Sequence, residues 1–156
     1  MFVFLRCIMI AMEKVFITTS EQETIALAAR FAKGLFTGAI LTLHGELGAG
    51  KTTFTKGIAK GLGIGQEVTS PTFTIMKQYP GAPGLTHIDA YRLEGIGFDY
   101  DLEESIYSDN ISVIEWSEHI KDSIEGDCAI YLAKNDTTCT LRFVYDKRYM
   151  NAVEML

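Results

Sequence analysis

The stretch "GELGAGKTTF", Gly45 to Phe54, decides how this chain folds. It follows "AILTLH", Ala39 to His44, an apolar run that reads as a buried strand. It leads into "TTFTKGIAKGL", which reads as a helix to about Gly61 despite the weakening glycine at Gly57. Gly45, Gly50, Lys51 and Thr52 occupy the fixed positions of the G-x-x-x-x-G-K-[ST] pattern. Glycines there let successive backbone N–H groups turn inward around phosphates, where larger side chains would obstruct. Lys51 is expected to place its ammonium against the β- and γ-phosphates, and the Thr52 hydroxyl to ligate Mg2+. The following helix adds its positive N-terminal end.

The expected ATP-binding residues of this loop are Gly45, Glu46, Leu47, Gly48, Ala49, Gly50, Lys51, Thr52 and Thr53, the last bonding a further phosphate. ATP is preferred over GTP because the N-K-x-D pattern that reads guanine is missing; in "AKND" the order of Lys134, Asn135 and Asp136 is wrong.

On either side of the loop the chain alternates strand and helix signals. "VFIT", Val15 to Thr18, is β-prone, and Ser20 with Glu23 forms a capping box for a helix ending near Gly34. "FTIMKQY", Phe73 to Tyr79, and "LTHIDAYRL", Leu85 to Leu93, read as strands around a Pro80–Gly84 turn. Phe98, Leu102 and Ile106 mark an acidic amphipathic helix, and "ISVIEW", Ile111 to Trp116, marks another strand. "CAIYLAK" and "TCTLRFVY" flank Asn135-Asp136 as a hairpin. The order predicts an α/β fold: a P-loop NTPase-type sandwich with a mixed, mostly parallel central sheet flanked by helices. Residues 13–156 are expected to form a single P-loop ATPase domain. The apolar residues 1–12 are expected to be an extension dispensable for chemistry, either an added strand or an artefact of start-site choice.

Composition narrows the setting. The 156 residues are one domain's worth, 47% hydrophobic and 22% charged. A net charge of −6 argues against nucleic acid or an anionic membrane as a direct partner. The N-terminal "MFVFLRCIMIAM" is too short to span a bilayer and lacks the marks of a secretory signal. Cys7, Cys128 and Cys139 are odd in number without metal spacing, so reduced thiols in the cytoplasm are expected. His44, His87 and His119 form no zinc pattern.

Hydrolysis needs a second metal-directed group and something to orient water. Asp89, at the end of an apolar strand, is either a Walker-B-type carboxylate or an ordinary cap or turn residue. Glu115 is either a magnesium or water-polarising group at a strand end or a plain surface glutamate. In "SPTF", Pro71 biases Ser70 to extended backbone, so Thr72 either faces the γ-phosphate like a switch residue or belongs to an ordinary loop. Trp116 is either core or a platform beside the nucleotide.

Taken together, "GELGAGKTTF", "SPTF", "HIDAYRL" and "VIEWSE" resemble, in order and spacing, the bacterial TsaE (formerly YjeE) ATPases. The resemblance runs from about Val15 to Tyr145. It implies a small P-loop α/β domain that binds and slowly hydrolyses ATP with Mg2+, in a complex with TsaB and TsaD. That complex makes threonylcarbamoyladenosine beside the tRNA anticodon; TsaD is the transferase, and the ATPase resets the machine, meeting tRNA only indirectly. It further implies Lys51, Asp89 and Glu115 as catalytic, and Thr52, Asp89 and Glu115 as metal-binding. Thr18 to Ser20, including Thr19 and Ser20, correspond to the place where the family touches the adenosine end. The readings to set against it are a small-molecule kinase, disfavoured by the dispersed Arg92, Arg142 and Arg148, and a non-hydrolysing nucleotide switch.

Overall fold

Alternating apolar strands settle into one seven-stranded sheet in the computed structural model, which describes residues 11–96, 99–120 and 128–156. The strands are β1 (Met12–Thr18), β2 (Ile40–His44), β3 (Met76–Tyr79), β4 (Leu85–Asp89), β5 (Ile111–Glu115), β6 (Cys128–Lys134) and β7 (Cys139–Tyr145). The helices are α1 (Glu21–Lys33), α2 (Lys51–Gly61), α3 (Tyr100–Ile106) and α4 (Met150–Glu154). The sheet order is β1-β7-β6-β2-β5-β4-β3. β2 pairs parallel with β5 and β6, and β4 with β5; β1–β7, β6–β7 and β3–β4 are antiparallel. Five strands therefore run one way and only β3 and β7 run against them, the mixed and mostly parallel sheet that the element order predicts.

The strand period of two divides the core. Leu41, Leu43, Ile111, Val113 and Leu85 face α1 and α2, where they meet Phe31, Phe54 and Ile58. Ile40, Ile114 and Ile88 face the opposite side, where Leu102 and Ile106 of α3 cover them. The residues at the parallel strands' ends, Asp89 and Glu115, lie in register as neighbours.

Several sequence readings change at their edges. β1 begins at Met12, opposite Tyr145, inside the expected 1–12 extension; residues 1–10, with Cys7, and Phe98 lie outside the described residues. The "FTIMKQY" strand starts only at Met76, because Ile75 takes φ 65° in the left-handed region. "LTHIDAYRL" stops being a strand at Asp89, whose Oδ1 accepts the Tyr91 N–H at 3.0 Å and turns the chain into a short 3-10 helix, Tyr91–Leu93. α3 starts later than expected, capped by Asp99, whose Oδ1 accepts the Leu102 N–H at 2.8 Å.

The capping box at α1 is half as expected. Ser20 Oγ accepts the Glu23 N–H at 3.1 Å, but Glu23 Oε2 reaches back to the Thr19 N–H at 2.7 Å instead of to the cap residue itself. The C-terminal segment was not legible from periodicity, since α4 has only five residues. Its lead-in supplies the buried Tyr149, whose hydroxyl accepts the Ile40 N–H and donates to the Ile40 carbonyl, both at 3.1 Å. This closes β2 just before its pairing with β6 begins at Leu41.

Gly57 is a packing requirement as well as a helical weak point. A Cβ there would lie 2.5 Å from both Ala28 Cβ and the Ile25 carbonyl oxygen, so α1 and α2 meet backbone to side chain. Gly57→Ala gains about 1 kcal/mol of helix propensity but forces the helices apart, at a cost of roughly 1–3 kcal/mol. Urea denaturation should show net destabilisation of Gly57→Ala, whereas Gly65→Ala, where an added Cβ meets nothing within 4 Å, stays near the parent.

Candidate nucleotide-binding site

The loop after β2 turns back tightly because its glycines permit it. Gly50, the residue before α2, has φ 104°, a conformation that L side chains rarely adopt. At Gly45 a Cβ would sit 2.5 Å from the Leu132 carbonyl oxygen, so β6 excludes any side chain there. Lys51 opens α2 and is 7% exposed. Its ammonium donates to the Gly45 carbonyl at 2.6 Å and the Glu46 carbonyl at 3.1 Å, and lies 4.9 Å from the centre of the Trp116 ring.

Beside this loop is a cleft of about 630 Å³, within the size range of small-molecule sites. Its floor is the phosphate loop from Leu47 through Lys51 with Thr52 and Thr53 of α2. Thr18, Thr19, Ser20, Glu21 and Thr24 form one wall; Ser70, Thr72, Asp89, Glu115 and Trp116 form another. Gly57 approaches Ile25 and Ala28, and Gly61 approaches Ala29 and Ala32, so contacts advance together along α1 and α2. The two helices therefore run parallel, and both N-termini open onto the cleft, adding positive potential for an anion.

The sequence-derived residues separate as follows. Leu47, Gly48, Ala49, Gly50, Lys51, Thr52, Thr53, Thr19, Ser20, Thr72, Asp89 and Glu115 all line the cleft. Gly45 and Glu46 lie behind the lining and hold Lys51 through their carbonyls. Leu47 is 95% exposed at the loop's tip. The hydroxyl of Thr19 is committed to Glu23 at 2.9 Å and that of Ser20 to the helix cap. The Thr19 backbone and hydroxyl bonds hold the Glu23 carboxyl below its usual range.

The turn reading of Asp89 holds, since Oδ1 accepts the Tyr91 N–H; its Oδ2 accepts the Thr72 hydroxyl at 3.1 Å at the cleft. Thr72 is also 2.6 Å from Ser70 Oγ, so "SPTF" is tied to the strand-end carboxylate. Glu115 is not a surface glutamate. It is 4% exposed, and its Oε1 lies 2.8 Å from Nε2 of the fully buried His87. Trp116 stands beyond it at φ 56°, a strained turn for a non-glycine residue, which swings the indole over Lys51. It lines the cleft and also packs against the core cluster that holds Ile40, Ile88 and Ile114.

None of Arg92, Arg142 and Arg148 lines the cleft. Arg92 lies 5.0 Å over Phe73, and Arg142 sits 4.2 Å over Tyr131 and 3.4 Å from Glu13.

Sequence reasoning missed two contributors. The tip of the β6–β7 hairpin, Lys134 to Thr138, lines the cleft beside the phosphate loop, where Cys139 reaches Ala49. Asn135 Oδ1 shapes that tip by accepting from the Thr137 and Thr138 N–H groups and the Thr138 hydroxyl. Hairpin chemistry was visible in the sequence; the pairing of β6 with β2 that brings it to the loop was not. Cys139 also lines the cleft, and burial pushes its thiol pKa up against the lowering charge of Lys134, leaving a neutral donor 3.6 Å from the Ala49 carbonyl. The other miss is His87, which as a lone histidine in a strand carried no signal.

Comparison with known proteins agrees with this geometry. The family described as threonylcarbamoyl adenosine biosynthesis protein TsaE matches residues 18–143. The tRNA threonylcarbamoyladenosine biosynthesis protein TsaE of Bacillus subtilis is 45% identical over 108 residues, covering 69% of this chain and 68% of its own. The Streptomyces coelicolor protein of the same name is 44% identical over 128 residues, 76% of this chain and 85% of its own. The crystal structure of Bacillus subtilis YdiB superposes with a TM-score of 0.78 at 33% identity, covering 93% of this chain and 94% of that one. With the phosphate-loop architecture and these matches in hand, the chain belongs to the TsaE family of threonylcarbamoyladenosine biosynthesis proteins.

Proposed function

We propose that this protein is a slow, magnesium-dependent ATPase of the cytoplasm that serves threonylcarbamoyladenosine modification of tRNA by acting on a TsaB–TsaD complex. The observation that carries this reading is convergence: the Lys51 ammonium, the Thr52 hydroxyl and the carboxylates of Asp89 and Glu115 border one cleft at the ends of β2, β4 and β5. Ligand sites in open α/β sheets lie at that edge.

The residues suit both the nucleotide and the metal. Gly48 and Gly50, at φ 79° and 104°, line the cleft with backbone, not side chain, to face a phosphate. Thr52, Asp89 and Glu115 are hard oxygen donors of the kind that magnesium takes together with phosphate oxygens and water. Bound there, the ion would neutralise charge developing on the phosphates.

The chain's own residues do the rest. Lys51 exchanges two carbonyl acceptors for anionic oxygens, a stronger pairing, since charge-assisted bonds are roughly twice as strong as neutral ones. Two parallel helix N-termini favour the same charge. Thr72, released from Asp89, is free to turn its hydroxyl to the terminal phosphate, and Glu115 orients or polarises the attacking water. With no arginine among the described residues lining the cleft, turnover by the isolated domain is expected to be slow, and a partner completes or orders the site.

The test is phosphate release and tRNA modification over many turnovers, with the protein present or omitted from a TsaB–TsaD reaction. Sustained modification only when it is present, with phosphate release, supports the reading; phosphate transfer to an added metabolite, or complex formation with no release, overturns it. Lys51→Ala should weaken nucleotide binding about 10–100-fold, as expected for losing one charge-assisted bond of roughly 1.5–3 kcal/mol, read by calorimetry. Glu115→Ala should lower metal-dependent phosphate release about 100-fold or more, far beyond the modest loss of stability from leaving the buried His87 Nε2 without its partner. Trp116 is the chain's single tryptophan, so nucleotide binding that draws Lys51 from its ring should change its fluorescence, and Lys51→Ala should abolish that response.

A further inference from the structure

Buried beneath the cleft, on the face of the sheet that packs against α1 and α2, lies a polar contact that the proposed chemistry does not itself use. His87 of β4 is fully buried, and its Nε2 lies 2.8 Å from Glu115 Oε1 on β5. Register explains the pairing. His87 stands opposite Val113 and Asp89 opposite Glu115, so the imidazole and the carboxylate are diagonal neighbours on one sheet face. The other ring nitrogen, Nδ1, is the one buried side-chain polar atom among the described residues without a hydrogen-bond partner.

An unsatisfied buried atom of this kind calls for an explanation. Mere packing would favour an apolar residue at position 87, since an imidazole leaves Nδ1 uncompensated. What the histidine gains is a single directed donor. A ring with protons on both nitrogens would bury an N–H without an acceptor, so the bonding pattern places the proton on Nε2. Glu115 Oε1 is thereby taken, while Oε2 has no partner among the described residues and borders the cleft.

We propose that His87 is a positioning residue: its Nε2–H fixes the Glu115 carboxylate so that Oε2 alone is presented to the metal or to its bound water. The proposal rests on the ATPase reading above and extends it to a residue behind the cleft lining. An unrestrained glutamate side chain samples several rotamers, and holding it in one lowers the ordering cost when the metal arrives.

The test uses the full chain. In the parent protein, nitrogen-15 NMR of the imidazole should report His87 protonated on Nε2 with a bare Nδ1. His87→Leu should raise the magnesium concentration for half-maximal phosphate release about tenfold, with nucleotide affinity in EDTA unchanged. The same variant should weaken Mn2+ binding to the ADP complex, read by electron paramagnetic resonance. His87→Gln, which keeps an amide donor near Nε2, should recover most of the loss. Unaltered metal dependence in His87→Leu, a His87 ring protonated on Nδ1, or a His87→Gln no better than a folded His87→Leu would each overturn the proposal. If His87→Leu does not fold, the parent's tautomer and the metal affinity of His87→Gln still decide it. A parent that binds no nucleotide removes the ATPase reading and this one with it; a parent with metal-dependent turnover that His87→Leu leaves unaltered removes only the role of His87.

Discussion

Parallel register is the constraint from which this site is built. β2, β5 and β4 lie side by side and point the same way, so the phosphate loop, Glu115 and Asp89 emerge at one edge of the sheet. Leu43 pairs with Glu115, and Glu115 with Asp89, which sets the two carboxylates next to each other and beside the start of the loop. A slip of one residue in β5 would send Glu115 to the opposite face, among Ile40 and Ile88, and lose both its histidine and its cleft. The buried apolar residues on either side, Val113 and Ile114, make that slip costly. Chemistry and core are specified by the same alternation.

Within that frame the phosphate loop is held shut on its own lysine. The Lys51 ammonium is nearly buried, yet it has two carbonyl acceptors and an aromatic face, so the charge is compensated where it lies. The loop's carbonyls are thus arranged around a cation. The Trp116 backbone strain belongs to the same arrangement, since the left-handed turn directly after Glu115 is what carries the indole to the lysine.

Much of this could be read from residues alone, and the exceptions have physical causes. The strand–loop–helix around Lys51 was legible because each residue type there has a local reason: glycine for backbone angles, lysine for charge, threonine for an oxygen donor. Asp89 and Glu115 were legible as strand-end acids, but their adjacency depended on sheet order, which no local pattern encodes. His87 and the 134–138 hairpin tip were silent for that reason; one needs a neighbour on another strand, the other the pairing of β6 with β2 that sets it beside the loop. Boundaries slipped where backbone chemistry overrode apolar pattern. Ile75 reads as strand but adopts a left-handed angle, and Tyr91 to Leu93 read as strand continuation but are turned by the Asp89 side chain.

The close approach of α1 to α2 at Gly57 has a mechanical corollary. These two helices carry the phosphate loop's exit and the Thr18–Thr24 wall, and they touch without an intervening side chain at Gly57. Spreading them would open a void between close-packed helices, so that side of the cleft behaves as a fixed jaw. Any adjustment to the size of an occupant then falls to the jaw facing it, where hydrogen bonds between side chains, such as Thr72 to Asp89, break more cheaply than a packed helix pair separates.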